Sequence, residues 1–331
     1  MEKFKSVAVI QAIVIAILLL LLFNGSAGNN WNHCEKFINP DGTFCLLSPM
    51  VYTGMLPPES HLIFSFKPLQ EDVKNYLKGR GADASVYVLN MKDGASFGIN
   101  STKPYKALSL NKLPVAIIIL KKVEQGELRL DTVLTIEPQD RDNKSGTLYA
   151  NPADGLSVRE LLRYMLSESD NTALNVLTRQ ESIEDLHKIS VYLNYYTDDV
   201  PFLEPPFNDS FEITPKSTAN VFLSLYTSSI LNPEDSEMII SDLENNSFDV
   251  KKYAGLPDNV IVSHKYGSYF NDKESLFHDC GIMYIRESRI FYCIMTKGLD
   301  QDRAVDIVGT TVNKIYNFVS EAQKTKNTNI I

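Results

Sequence analysis

The apolar segments of the 331-residue chain come in an order that leaves few folds open. Leu69–Gly81 has helical apolar spacing and stops at a glycine. Ala84–Asn90 and Ala95–Asn100 read as two strands around a Lys92-Asp93-Gly94 turn, and Val260–His264, Cys280–Ile285 and Ile290–Thr296 read as three more. Helical patterns fill the stretch between. Leu108–Val123 is apolar on every side at Ile117–Leu120 and reads as a buried helix. Ser157–Leu166 opens on a capping box, Ser157 with Glu160 three residues on, and Thr214–Thr227 opens on Thr-Pro. Ala304–Ala322 reads as a closing helix. Strands held this far apart can share a sheet only if the chain ends come together. The expected fold class is therefore α+β, with an antiparallel sheet assembled from both ends of the chain.

The first residues depart from this pattern. Lys3 and Lys5 precede an apolar run, Val7 to Phe23, broken only by Gln11. Its length lies between a cleavable signal core and a spanning helix. Gly25-Ser26-Ala27-Gly28 behind it offers the small residues a signal peptidase accepts. Residues 1–29 read as an N-terminal membrane anchor, with a cleaved signal as the alternative. Either way the basic flank stays cytoplasmic and everything past residue 30 is exported. Residues 30–65, with Cys34, Cys45 and several prolines, read as a linker or cap, and residues 66–325 as the folded domain. Cys34 and Cys45 lie close enough for a disulfide in an oxidising compartment. Cys280 and Cys293 flank the Arg286–Arg289 turn and face each other in only one register, so they read as two separate buried thiols. The five histidines lack metal-ligand spacing. With 44% apolar and 22% charged residues, wholesale disorder is excluded. A net charge of −9 without any Lys/Arg-rich run argues against nucleic acid as a partner.

Three short segments carry chemistry. In Ser109-Leu110-Asn111-Lys112 the lysine lies one turn from a serine at a helix start, so a desolvated amine can serve as base to the hydroxyl. Alone, this spacing is equally that of a capping serine with a solvated lysine, but here it opens the most apolar helix of the domain, where an idle ammonium is costly. Ser169-Asp170-Asn171 stands between two apolar helical stretches and can aim a hydroxyl and an amide into a cleft; its bland reading is a helix cap. Lys265-Tyr266-Gly267-Ser268 ends a strand: the lysine can neutralise a carboxylate, and the glycine lets a ligand approach the backbone, so that the next N–H can serve an oxyanion hole. Its bland reading is a strand end with a surface lysine.

Together, and in this order, these segments resemble the Ser-x-x-Lys, Ser-Asp-Asn and Lys-Thr-Gly set of class A β-lactamases and penicillin-binding proteins. Lys112-Leu-Pro-Val-Ala-Ile, Gly126-Glu-Leu-Arg-Leu-Asp131, Leu156-Ser-Val-Arg-Glu-Leu161, Met165–Asn175 and His278-Asp-Cys-Gly-Ile282 resemble the family too, so the likeness runs from about residue 68 to 322. It implies an antiparallel sheet flanked by helices beside an all-helical lobe, with the site between. It also implies a serine hydrolase acting on cyclic amides, using no cofactor or metal, as a monomer. Ser109 would attack the β-lactam carbonyl and Lys112 would manage its proton. The N–H groups of Ser109 and Ser268 would hold the oxyanion, and Ser169 would pass a proton to the leaving nitrogen. Asn171, Lys265 and Gly267 would position the substrate. Leu203-Glu-Pro-Pro-Phe-Asn208 matches the family's deacylation segment ahead of Thr214-Pro215, making Glu204 the water-activating carboxylate and Asn208 its substrate-side neighbour, with Asp198 and Asp199 as alternatives. The chain departs from the family at two points. Asn208 to Pro215 is short and lacks the usual acid–base clasp. Tyr266 replaces a Thr or Ser whose hydroxyl holds the substrate carboxylate, a contact Ser268 is placed to replace. Tyr149 reads as a rim residue of the cleft, in a loop before Ser169 that aligns loosely with the family. Two readings stand beside the β-lactamase: a D-alanyl-D-alanine carboxypeptidase acting on peptidoglycan stem peptides, and a non-catalytic wall-binding homologue.

Overall fold

The computed structural model describes residues 65–151, 153–180, 183–196 and 211–328. The apolar run at 7–23, Cys34 and Cys45, and Asp198, Asp199, Glu204 and Asn208 lie outside them.

Helix α1 (Lys67–Gly79) leads into β1 (Asp83–Asn90) and β2 (Ser96–Ile99). The chain ends on β7 (Ile261–Phe270), β8 (Ser275–Ile285), β9 (Ser288–Lys297) and a last helix, Gln301–Thr328. The five strands form one antiparallel sheet in the order β2-β1-β9-β8-β7, so the first strand of the domain lies against the last. Both chain ends build the sheet, as the order of apolar segments implies. One face packs on α1 and the last helix through Val73, Val86, Val88, Tyr292, Ile294 and Val312. The other face carries Ile282, Phe291 and Met295 into a helical layer that includes Ile117, Leu162 and Phe222. Side chains of alternating strand residues feed both cores, which is why β8 and β9 are buried along nearly their whole length.

The helical layer follows the sequence signals closely. β3 (Tyr105–Lys106) and a 3-10 turn (Leu108–Asn111) precede α2 (Lys112–Glu124), buried at every residue from Lys112 to Leu120. After the short strands β4 (Val133–Thr135) and β5 (Gly155–Ser157), α3 (Val158–Ser167) opens on the Ser157–Glu160 capping box. It is followed by α4 (Asn171–Thr178), α5 (Ile183–Leu193) and β6 (Glu212–Ile213). Then come α6 (Pro215–Tyr226), capped by Thr214, α7 (Pro233–Glu244) and α8 (Val250–Ala254), and the C-terminal helix is α9.

Three expectations need correction. Cys280 and Cys293 are a disulfide rather than separate thiols. The two-residue turn Arg286-Glu287 sets a register in which they stand directly opposite, Cα to Cα 3.9 Å. β7 runs on to Phe270 instead of stopping at His264. It is buried from Val262 to Lys265 and at Gly267, and exposed at Ser268 and Tyr269, so its apolar pattern ends before its hydrogen bonding does. Ser109 sits in the 3-10 turn ahead of the helix rather than in the helix itself, and α2 begins at Lys112.

Candidate active site

The 3-10 turn brings the first pair of groups together. Residues i and i+3 eclipse in this geometry, so Ser109 and Lys112 share one face. Lys112 Nζ donates to Ser109 Oγ at 3.1 Å. Leu108, just before the serine, has φ 49°, a left-handed conformation that costs a branched side chain energy and must be held by its surroundings. One support is Gly267 on β7: a Cβ there would meet Leu108 Cβ at 2.9 Å and the Ser109 nitrogen at 3.1 Å. Only a glycine lets the sheet edge come this close to the serine turn.

The second segment arrives at the end of α3. Ser169 has φ 55°, which turns the chain sharply between two helices. Lys112 Nζ donates to the Ser169 carbonyl at 2.9 Å, lies 3.4 Å from its Oγ, and donates to Asn171 Oδ1 at 2.7 Å. The buried Asp170 carboxylate holds this turn, accepting the N–H of Ala173 at 2.8 Å as the α4 cap and those of Thr147 and Leu148 at 2.7 and 2.8 Å. Sequence reading missed the loop that supplies those amides. Ser145 Oγ donates to the Ser169 carbonyl at 2.8 Å, and Gly146, at φ 87°, has no room for a Cβ beside Asp170. The polar run ending in Ser145-Gly146 was the available signal. Tyr195 and Tyr196, also missed, reach Leu110 O and Asn111 Oδ1 from the far end of α5.

Lys112 is 1% exposed. Burial pushes its pKa down to about 7, while the carboxylates of Asp170 and Asp142 pull in the opposite direction. Lys265, on the edge strand β7, is wholly buried. Desolvation and the neighbouring Lys112 hold its pKa well below the usual lysine range, with Asp279 opposing them. Its Nζ donates to the Tyr266 carbonyl at 3.2 Å and lies 4.9 Å from the Tyr266 ring centre. Two amines thus sit in one dry region, which works against a positive charge on either of them.

The Tyr266 hydroxyl lies 3.3 Å from Ser247 Oγ, and its ring packs on Phe248 at 5.4 Å. The hydroxyl of this residue is therefore engaged with the segment after α7, while Ser268, two residues on, lines the cavity. That cavity, about 300 Å³, is walled by Ser109, Lys112, Ser169, Asn171, Tyr266 and Ser268, which is within the size range of small-molecule sites. Asp142 and Lys144 stand on its wall where the rim was assigned to Tyr149. The structure thus brings together Ser109, Lys112, Ser169 and Asn171 by direct contact, and Lys265, Gly267 and Ser268 on the adjoining strand. Glu204 and Asn208 lie outside the described residues.

A family model described as "Beta-lactamase enzyme family" matches residues 68–319. Beta-lactamase VEB-1 from Pseudomonas aeruginosa is 22% identical over 235 residues, 66% of this chain and 79% of that protein. A β-lactamase from Bacteroides uniformis is 23% identical over 242 residues, covering 68% and 81%. Among solved structures, PBP-A superposes with a TM-score of 0.69 at 20% identity, over 80% of this chain and 99% of that one. TLA-1 extended-spectrum β-lactamase superposes with a TM-score of 0.69 at 20% identity, over 78% and 100%. These structural likenesses concern the fold.

Proposed function

The chain belongs to the β-lactamase enzyme family, and from that membership and the geometry of the site we propose that it hydrolyses β-lactam amides through an acyl-enzyme on Ser109. The observation that carries this reading is the buried amine of Lys112, 3.1 Å from Ser109 Oγ and bonded to both Ser169 and Asn171. An amine with a pKa near 7 is about half neutral at neutral pH, so it can take the proton of Ser109 as the hydroxyl attacks the carbonyl. The N–H groups of Ser109 and Ser268 receive the developing oxyanion. Lys112 passes the proton through Ser169 to the leaving nitrogen as the amide C–N bond breaks. Asn171 orients the acyl side, and Lys265 with Ser268 meets a substrate carboxylate. Glu204 then activates water against the ester, with Asn208 beside it, and Ser109 is freed.

A second reading keeps the same acylation and removes rapid deacylation: a peptidase acting on peptidoglycan stem peptides. The likeness of the fold to PBP-A favours keeping it. Incubation with a chromogenic cephalosporin and with a fluorescent penicillin separates the two. Sustained turnover of the first supports the β-lactamase. A stable adduct on Ser109 without turnover replaces it with the peptidase, and no reaction with either favours the wall-binding homologue. We also propose that the domain of residues 66–325 acts outside the cytoplasm, tethered by residues 1–29 through the linker 30–65. The Cys280–Cys293 disulfide supports an oxidising compartment. Recovery of the chain in the soluble cytoplasmic fraction would refute this.

A further inference from the structure

His278 on β8 has no role in the chemistry above, although its strand pairs directly with β7. His278 is paired with Gly267 across β7, the glycine that touches the Ser109 turn. Its imidazole is wholly buried, and its Nε2–H donates to the Lys106 carbonyl at 3.1 Å. Lys106 is the last residue of β3, which leads through Ala107 into Leu108 and Ser109. The ring also meets Tyr105 edge-on at 5.4 Å between centres, and Tyr105 is anchored in turn to Ser85 Oγ at 2.9 Å. Among the described residues β3 also pairs with the two residues of β6, Ala107 N donates to Phe211 O at 2.8 Å, and Lys106 Nζ meets Glu274 at 2.5 Å, but that last tie leaves the main chain to the strand pairing and to His278. A two-residue strand does not by itself hold the left-handed Leu108 that follows it.

We infer that His278 is a positioning residue for the nucleophile: its bond to the Lys106 carbonyl fixes the strand entering the Leu108–Ser109 turn and so holds the Ser109 hydroxyl and amide against Gly267. The inference rests on the reading of Ser109 as the nucleophile. A carbonyl only accepts, so the ring must carry its proton on Nε2. Burial takes the imidazole pKa down to about 4, so the ring stays neutral in the working range.

The test is the rate at which the full chain, in detergent micelles, is labelled by a fluorescent penicillin, for wild type, Ser109→Ala, His278→Leu and His278→Gln. Wild type should label and Ser109→Ala should not. His278→Leu keeps bulk but no donor and should label roughly 10²-fold more slowly, the scale of a misplacement of about an ångström at a reacting group. His278→Gln retains an N–H donor and should recover most of that loss. Labelling of His278→Leu at the wild-type rate, or no recovery in His278→Gln, overturns the inference and leaves the nucleophile standing. An unreactive wild type, or a reactive Ser109→Ala, removes the nucleophile and this inference with it. If His278→Leu does not fold, 15N NMR of the wild-type imidazole decides: a neutral Nε2–H tautomer supports the inference, and a proton on Nδ1 refutes it.

Discussion

The buried amine of Lys112 can be tested by pH. Burial brings its pKa from 10.5 down to about 7 against the opposing pull of Asp170 and Asp142. At pH 7 about half the molecules then carry a free amine, where an ordinary lysine would offer roughly one in 3,000. The gain in available base is about 10³-fold. Acylation of Ser109 should therefore rise about tenfold per pH unit well below 7 and level off above it. Lys112→Arg puts a guanidinium in the same place, which stays protonated at any accessible pH. Its acylation should fall about 10³-fold or more, with no midpoint near 7. Asp142→Asn gives a finer check. Asp142 accepts from Asn171 Nδ2 at 3.3 Å, and Asn171 Oδ1 accepts from Lys112, so one amide bridges the two charges. A carboxylate stabilises the ammonium, so removing it lowers the lysine pKa and moves the midpoint to lower pH. Charges at this separation near a surface interact by on the order of 1 kcal/mol, or somewhat under one pH unit. The assay is stopped-flow labelling by a fluorescent penicillin across the neutral range. A flat wild-type profile, or a midpoint that climbs in Asp142→Asn, would refute the assignment of Lys112 as base.

Glu204→Gln should lengthen the acyl-enzyme lifetime while leaving labelling intact; unchanged turnover of a chromogenic cephalosporin would retire Glu204 as the deacylating group. Asp170→Ala leaves three amides without their acceptor. It should destabilise the domain by about 3 kcal/mol or more, read as a lower urea midpoint. Replacing both Cys280 and Cys293 by alanine opens a loop of sequence separation 13 and should cost about 3 kcal/mol in the same assay. Gly267→Ala pushes a methyl group into Leu108 Cβ and the Ser109 nitrogen. Acylation should slow by roughly 10²-fold, and a variant that acylates normally would show that the approach of β7 to the serine is unimportant.

The parts of this protein that could be read from its sequence are those whose cause is local. Ser157 with Glu160, and Thr214 with Pro215, announce helices because caps satisfy amides within one turn, and both helices start where those residues stand. The turn at Lys92–Gly94 follows from residue chemistry in the same way. Ser109 and Lys112 stand out because one turn separates a hydroxyl from an amine at the start of an apolar helix, whereas Ser169 and Asn171 join them only through the resemblance to the family's motif set. Where the cause was remote, reading stopped short. The apolar pattern of β7 gives way at the buried Lys265, and the residues beyond it, Tyr266 and Ser268, line the cavity, so the strand's full length is not legible in its sequence. Ser145 and Gly146 read as ordinary loop residues, since their importance lies in the Ser169 carbonyl and the Asp170 side chain, which come from a turn more than twenty residues away.

The sequence alone determined that strands at both ends must share a sheet and that a serine, two lysines and a second hydroxyl are available to one chemistry. Tertiary structure decided how those groups behave. The pairing of Cys280 with Cys293 depends on a register that shifts every side chain to the opposite face if it slips by one residue. The amine of Lys112 becomes a base only because helices and sheet together exclude water from it, and Tyr266 turns its hydroxyl to Ser247 because Phe248 packs against its ring. Burial and register are properties of distant segments in contact, and no local stretch of chain encodes them.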